Sequence, residues 1–146
     1  MLEGPYDACG GLFHDHLGTF LGAFTCNLGR CSVFDAEVSG YSLALEYAAQ
    51  HGWTNIWLES DSSSTLQVFK NISLVPILLR NRWHNAHTLN VHVISSHIFR
   101  EGNTCADRLA NLGHSVVGEV WLSALPSKFQ QDFFADRCGL PRFRYP

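Results

Sequence analysis

One hundred and forty-six residues, 46% of them hydrophobic, are enough for a single compact domain with a sizeable core and imply no second one. A formal charge of −3 excludes a broadly basic nucleic-acid coat, so any nucleic-acid contact has to be local. Cys9, Cys26, Cys31, Cys105 and Cys138 are odd in number and form no CxxC pair, no secretory signal pattern opens the chain and no apolar run is of membrane-spanning length; the expectation is an intracellular protein with reduced thiols and no membrane partner.

In chain order, the opening MLEGPYDACGG is rich in turn formers and reads as a loop. Leu12 to Asp15 and Phe20 to Cys26 read as a β-hairpin turning near Leu17 and Gly18, followed by a turn at Asn27 to Gly29. Ser32 with Asp35 three residues on forms a capping-box pattern. Val38, Tyr41, Leu45 and Ala48 then recur at helical spacing, and Gly52 is a C-terminal stop. Glu37 falls in the early turns of that helix.

Thr54 to Asp61, TNIWLESD, is a short apolar β run that ends in two acids, bounded by Gly52 and a serine cluster. Helical patterns on both sides point to a buried strand in a parallel part of an α/β sheet. Its carboxyl end then opens on a crevice, where ligands bind in such sheets. Asp61 stands either at that crevice or as the N-cap of the next helix, which Asp also does well. Ser64 to Lys70 suggests a short helix and Ile77 to His87 another. In the latter, Arg80, Arg82, His84 and His87 with Trp83 interleaved form either a modest nucleic-acid face or an ordinary solvated one. Asn90 to Phe99 reads as a second buried strand, and Asn103 to Leu112 as a helix stopped by Gly113, with Asp107 in its first turns. Val116 to Leu125 is ambiguous. Ser127 with Gln130, and Phe129 with Phe133, point to a terminal helix ending near Gly139.

Glu37, Asp61 and Asp107 thus stand in separate elements. Acids converging in this way are what a hard divalent cation requires. The segments AEVSGYSLALEYA, WLESDS and SSHIFREGNTCADRLANLG resemble, in that order, motifs of the ribonuclease H superfamily, and in particular the plant ribonuclease H-like domains related to reverse transcriptases of non-LTR retrotransposons. The resemblance covers about residues 10–113, with 114–146 as a C-terminal extension similar to tails of plant members. It implies an α/β fold of one domain, with a mixed sheet flanked by helices. It also implies a Mg²⁺ (or Mn²⁺) site made by Glu37, Asp61 and Asp107, with His97 as the family's mobile histidine near the scissile phosphate. The implied activity is endonucleolytic cleavage of the RNA strand of RNA–DNA hybrids, and the implied partner is a hybrid or double-stranded RNA, contacted through Arg80, Arg82, Trp83 and Arg100. A monomer is the default.

The family's first strand, with its Asp-Gly pair, is not matched: MLEGPYDA stands there, with Glu3 and Asp7 as the nearby acids. Weak or absent hybrid cleavage is therefore expected of this chain. The alternative is a non-catalytic module binding nucleic acid or protein, or a truncated transposon-derived remnant. The pairs His14/His16 and His84/His87 lack partners for a zinc site, and Asn71-Ile72-Ser73 is read as a chance glycosylation match.

Overall fold

The structure, a computed structural model, describes residues 7–100 and 103–138, with side chains as far as Phe134. It is an α/β fold whose contacts divide into two compact units. One comprises the chain up to Cys31 together with the chain from Ile98 onward; the other is Ser32–His97. Glu3 and the tail beyond Cys138 lie outside the described residues, as do the Met1 to Tyr6 part of the opening loop and the place where the family's first strand would be sought.

The first unit is built on an antiparallel sheet. Strand β1 (Asp7–His14) pairs with β2 (Phe20–Gly29), and β2 pairs on its other side with β5 (Glu119–Leu122), giving the order β1-β2-β5. The hairpin turn is closed by Asp15, whose Oδ1 accepts from the amides of Leu17 and Thr19, both at 2.9 Å, while Gly18 takes a left-handed φ of 80°. The hairpin is where the residue pattern placed it, but β1 starts earlier than expected. Asp7 to Gly11 is strand, because Gly10 and Gly11 serve packing and not turning. A Cβ on Gly10 would lie 2.6 Å from the Ala110 nitrogen and the Leu109 carbonyl carbon, and one on Gly11 would lie 2.8 Å from the Phe24 ring. The ambiguous stretch after Gly113 proves to hold β5, whose Trp121 lies over Gly22, where a Cβ would meet the ring at 2.1 Å.

Helices α4 (Thr104–Leu112) and α5 (Ser127–Cys138) complete this unit. Ala23, Cys105, Leu109, Leu125 and Phe129 form its core, with Leu12, Phe20, Leu112, Leu122 and Phe133 packed against them. Thr25, buried in β2, donates its hydroxyl to the Leu109 carbonyl at 2.6 Å and so satisfies a helix-end acceptor. Gly113 does follow α4, but with φ −56° it is no left-handed stop; an added Cβ would come within 2.7 Å of the Ala8 Cβ and 2.8 Å of the Cys26 carbonyl oxygen. Ser127 is the first helical residue of α5 and not its cap, and Gln130 donates to the Leu125 carbonyl at 3.2 Å.

In the second unit α1 spans Val33–Gln50, capped by Ser32, whose hydroxyl accepts from the Asp35 amide at 3.0 Å. Gly52 follows it with φ 73°, the left-handed conformation that ends helices. Strand β3 (Asn55–Ser60) pairs in parallel with β4 (His92–His97). Neither strand is buried throughout. In β3 only Leu58 and Ser60 are buried, and β4 exposes His92, Ile94 and His97, so each alternates as a strand with one wetter face does. Between them run α2 (Ser63–Leu66), three short 3₁₀ turns and α3 (Arg80–Ala86). The core is Val38, Tyr41, Leu58, Leu66, Val68, Val75 and Trp83, with Phe34, Ala44, Phe69, Leu79 and Val93 against it. Asn71 and Ser73, the ends of the glycosylation-like triplet, bond to each other: the Asn71 side-chain oxygen accepts from the Ser73 amide at 3.1 Å and its hydroxyl at 2.6 Å.

Candidate active site

Glu37 and Tyr41 are one turn apart on α1 and therefore share a face. That face turns inward, so Tyr41 is buried while Glu37, nearer the helix start, is half-buried. β3 ends at Ser60, and Asp61 is the next residue, half-buried at the carboxyl end of a parallel strand. The cap of α2 is Ser62, which accepts from the Thr65 amide at 3.3 Å; Asp61 does not hold that position. Capping of α2 therefore does not account for Asp61.

Tyr41 ties the two acids to one place. Its hydroxyl donates to Ser60 Oγ at 2.8 Å, and burial pushes its pKa well up, with the charges of Glu37 and Asp61 both adding to the rise. Tyr41 therefore stays a protonated donor at neutral pH. Its folded pKa lies above the unfolded value of 10.0, so its contribution to stability is complete below that value and is lost as pH rises past it. Tyr41→Phe is expected to flatten this alkaline loss, as read from urea midpoints at about pH 8 and about pH 11.

Around the acids lies a run of hydroxyls. Thr65 Oγ1 donates to Glu37 Oε1 at 3.1 Å, Ser62 Oγ lies 2.7 Å from Thr65 Oγ1, and the Ser62 amide donates to Ser60 Oγ at 3.2 Å. His97 stands opposite Ser60 in the parallel ladder, is exposed, and has Nε2 3.2 Å from the Asp61 carbonyl. A carbonyl only accepts, so in this contact Nε2 carries the proton.

The second unit thus brings together Glu37, Asp61 and His97. Asp107 belongs to the other unit, half-buried in the first turn of α4. Among the described residues no group of three or more His, Cys, Asp or Glu side chains is placed to hold a metal ion. The donor set nonetheless fits a hard cation. Both members of the pair are carboxylates, and Mg²⁺ is usually held by one or two of these plus waters and substrate phosphate.

The expected nucleic-acid face is largely corrected. Trp83 is only 3% exposed and packs between Phe69 and His87, at ring distances of 5.0 and 4.6 Å, so its ring belongs to the core and offers no face to a base. Arg82 forms a two-pronged ion pair with Glu46 at 2.7 and 2.8 Å. Arg80 bonds the carbonyls of Val75 and Ser73, both at 2.9 Å, and braces the loop ahead of its own helix. Arg100 is exposed ahead of α4. A helix of this period has a buried stripe, and Trp83 falls on it; the sequence pattern showed the interleaving but not which face would be inside.

A family model described as reverse transcriptase-like matches residues 5–113, most of the chain and every residue of this site. The chain belongs to the reverse transcriptase-like family. This reverse transcriptase-like domain is 29% identical over 120 residues to an Arabidopsis thaliana protein named as a ribonuclease H protein; the match covers 75% of this chain and 18% of that much longer relative. Its fold is ribonuclease H-like. RNase H1 of the halophilic archaeon Halobacterium salinarum superposes with a TM-score of 0.66 at 26% identity, covering 77% of this chain and 88% of that one. LC11-RNase H1, in its complex with an RNA/DNA hybrid, superposes with a TM-score of 0.60 at 19% identity, covering 71% and 91%.

Tyr41, Ser60, Ser62 and Thr65 were not singled out by sequence reasoning. The signal available was the Glu37/Tyr41 spacing, together with a serine cluster that looked like a strand boundary.

Proposed function

We propose that this reverse transcriptase-like domain engages RNA–DNA hybrids as a ribonuclease H-type, divalent-metal-dependent endonuclease domain, and that residues 1–146 alone cleave weakly. The observation that carries the reading is the hydrogen-bonded path from the Tyr41 hydroxyl through Ser60, Ser62 and Thr65 to Glu37 Oε1, which passes on both sides of Asp61, with His97 Nε2 on the Asp61 carbonyl. The family and the ribonuclease H names of its relatives support the substrate class.

Glu37 and Asp61 would hold the cation. When bound, the cation supplies Lewis-acid stabilisation of the phosphate. His97 is exposed to water and suited to moving a proton at the phosphate, with Nε2 held on the Asp61 carbonyl between turnovers. Residues 1–146 carry no Asp-Gly pair ahead of Gly10, and tested alone they are expected to fail in positioning before they fail in binding.

The test is Mg²⁺-dependent cleavage of a labelled RNA–DNA duplex by three proteins: the chain, its Asp61→Asn variant, and the chain extended by an Asp-containing strand. Cleavage is expected to be weak in the first, to rise in the extended form, and to fall more than about 100-fold in the extended form carrying Asp61→Asn, since several kcal/mol of transition-state stabilisation are at stake. Millimolar Mg²⁺ should raise the melting temperature of the chain but not of Asp61→Asn. If the extended form stays inactive yet binds hybrid, the non-catalytic binding module is the correct reading.

A further inference from the structure

We infer that Thr65 is a positioning residue for Glu37: its buried hydroxyl, fed by Ser62, holds the Glu37 carboxylate in the orientation that receives a divalent cation. The inference rests on the reading of Glu37 as a metal-holding carboxylate given above.

The hydrogens in this network have a forced order. Thr65 is 1% exposed and its Oγ1 carries one hydrogen, which goes to Glu37 Oε1 at 3.1 Å. Ser62 Oγ, 2.7 Å from Thr65 Oγ1, must then be the donor in that contact. Ser62 Oγ also accepts the Thr65 amide at 3.3 Å, so the same two residues are locked to each other twice. Upstream, the Ser62 amide bonds Ser60 Oγ at 3.2 Å, and Ser60 Oγ accepts the Tyr41 hydroxyl at 2.8 Å. The path leaves α1 at Tyr41, passes through the β3–α2 turn on both sides of Asp61, and returns to α1 at Glu37.

Such a ring acts on orientation. A free glutamate side chain has three rotatable bonds and loses rotamer freedom when it takes up a cation. A carboxylate already held by a rigid donor avoids most of that loss. Threonine suits the task because a β-branched side chain is stiff at χ1. Hydrogen-bond partners of metal-holding carboxylates commonly set affinity by 10–100-fold.

Thr65→Val keeps the shape and removes the hydroxyl, whereas Thr65→Ser keeps the hydroxyl and loses a methyl. Mn²⁺ binding to the full chain, followed by titration calorimetry and by the spin-resonance signal of free Mn²⁺, separates the two. Thr65→Val is expected to bind Mn²⁺ about 10–100-fold more weakly than the parent chain, and Thr65→Ser within about threefold of it. Thr65→Ala provides the same comparison if the valine variant does not melt cooperatively. Equal binding by the parent and by the variant lacking the hydroxyl overturns the inference, and so does an equal loss in Thr65→Ser. A parent chain that shows no Mn²⁺ binding sensitive to Glu37→Gln overturns the metal reading itself, and this inference with it.

Discussion

Trp83→Ala is expected to cost about 3–5 kcal/mol of unfolding free energy, the range for removing a large aromatic from a core. The indole is almost fully buried, and it packs on Phe69, which in turn packs on Tyr41 at 5.4 Å, so the cavity would open beside Phe69, one ring away from Tyr41. Urea unfolding followed by circular dichroism measures the loss. Trp83→Phe should recover part of it, because much of the apolar volume returns. Its neighbour provides the contrast: Arg82→Ala breaks an exposed ion pair with Glu46, which should cost only about 0.2–1 kcal/mol. A Trp83→Ala chain as stable as its parent would return the ring to the surface and reopen its use as a stacking platform for a base.

Gly10→Ala is expected to destabilise by about 3 kcal/mol, at the upper end of what overpacking costs. The obstacles, the Ala110 nitrogen and the Leu109 carbonyl carbon, are backbone of α4, so no side chain can rotate away and strand and helix must separate. Ala110→Gly should not rescue the variant, since trimming that side chain leaves the clashing nitrogen in place. At Gly29 there is nothing within 4 Å of an added Cβ, and alanine pays only for the left-handed φ of 72°, about 1–2 kcal/mol. Melting temperatures of the three variants order these effects. If Gly10→Ala proves milder than Gly29→Ala, β1 and α4 are not in the close contact described.

By themselves, the residues determined the parts whose causes are local. Ser32 caps α1 because a hydroxyl there reaches the Asp35 amide, and Gly52 ends the helix because it enters the left-handed region at no cost. The hairpin about Gly18, the strands β3 and β4, and Asp61 at the end of a strand also follow from period and punctuation. The order of the three acidic motifs was enough to indicate the family that the comparison then showed.

What only the tertiary structure decided depends on neighbours distant in sequence. Gly10, Gly11 and Gly113 look like turn formers in the sequence, yet they are places where two backbones or a backbone and a ring approach closely. Glu119 to Leu122 is a strand because β2 offers it an edge and Gly22 leaves room for Trp121, a complementarity with no local signature. The basic, aromatic run of α3 became half core and half ion pair once Phe69 and Glu46 were in place beside it. The hydroxyl ring beneath Glu37 joins residues up to 28 positions apart, and a serine cluster discloses its hydrogen-bond partners only when the strand, the turn and the helix meet.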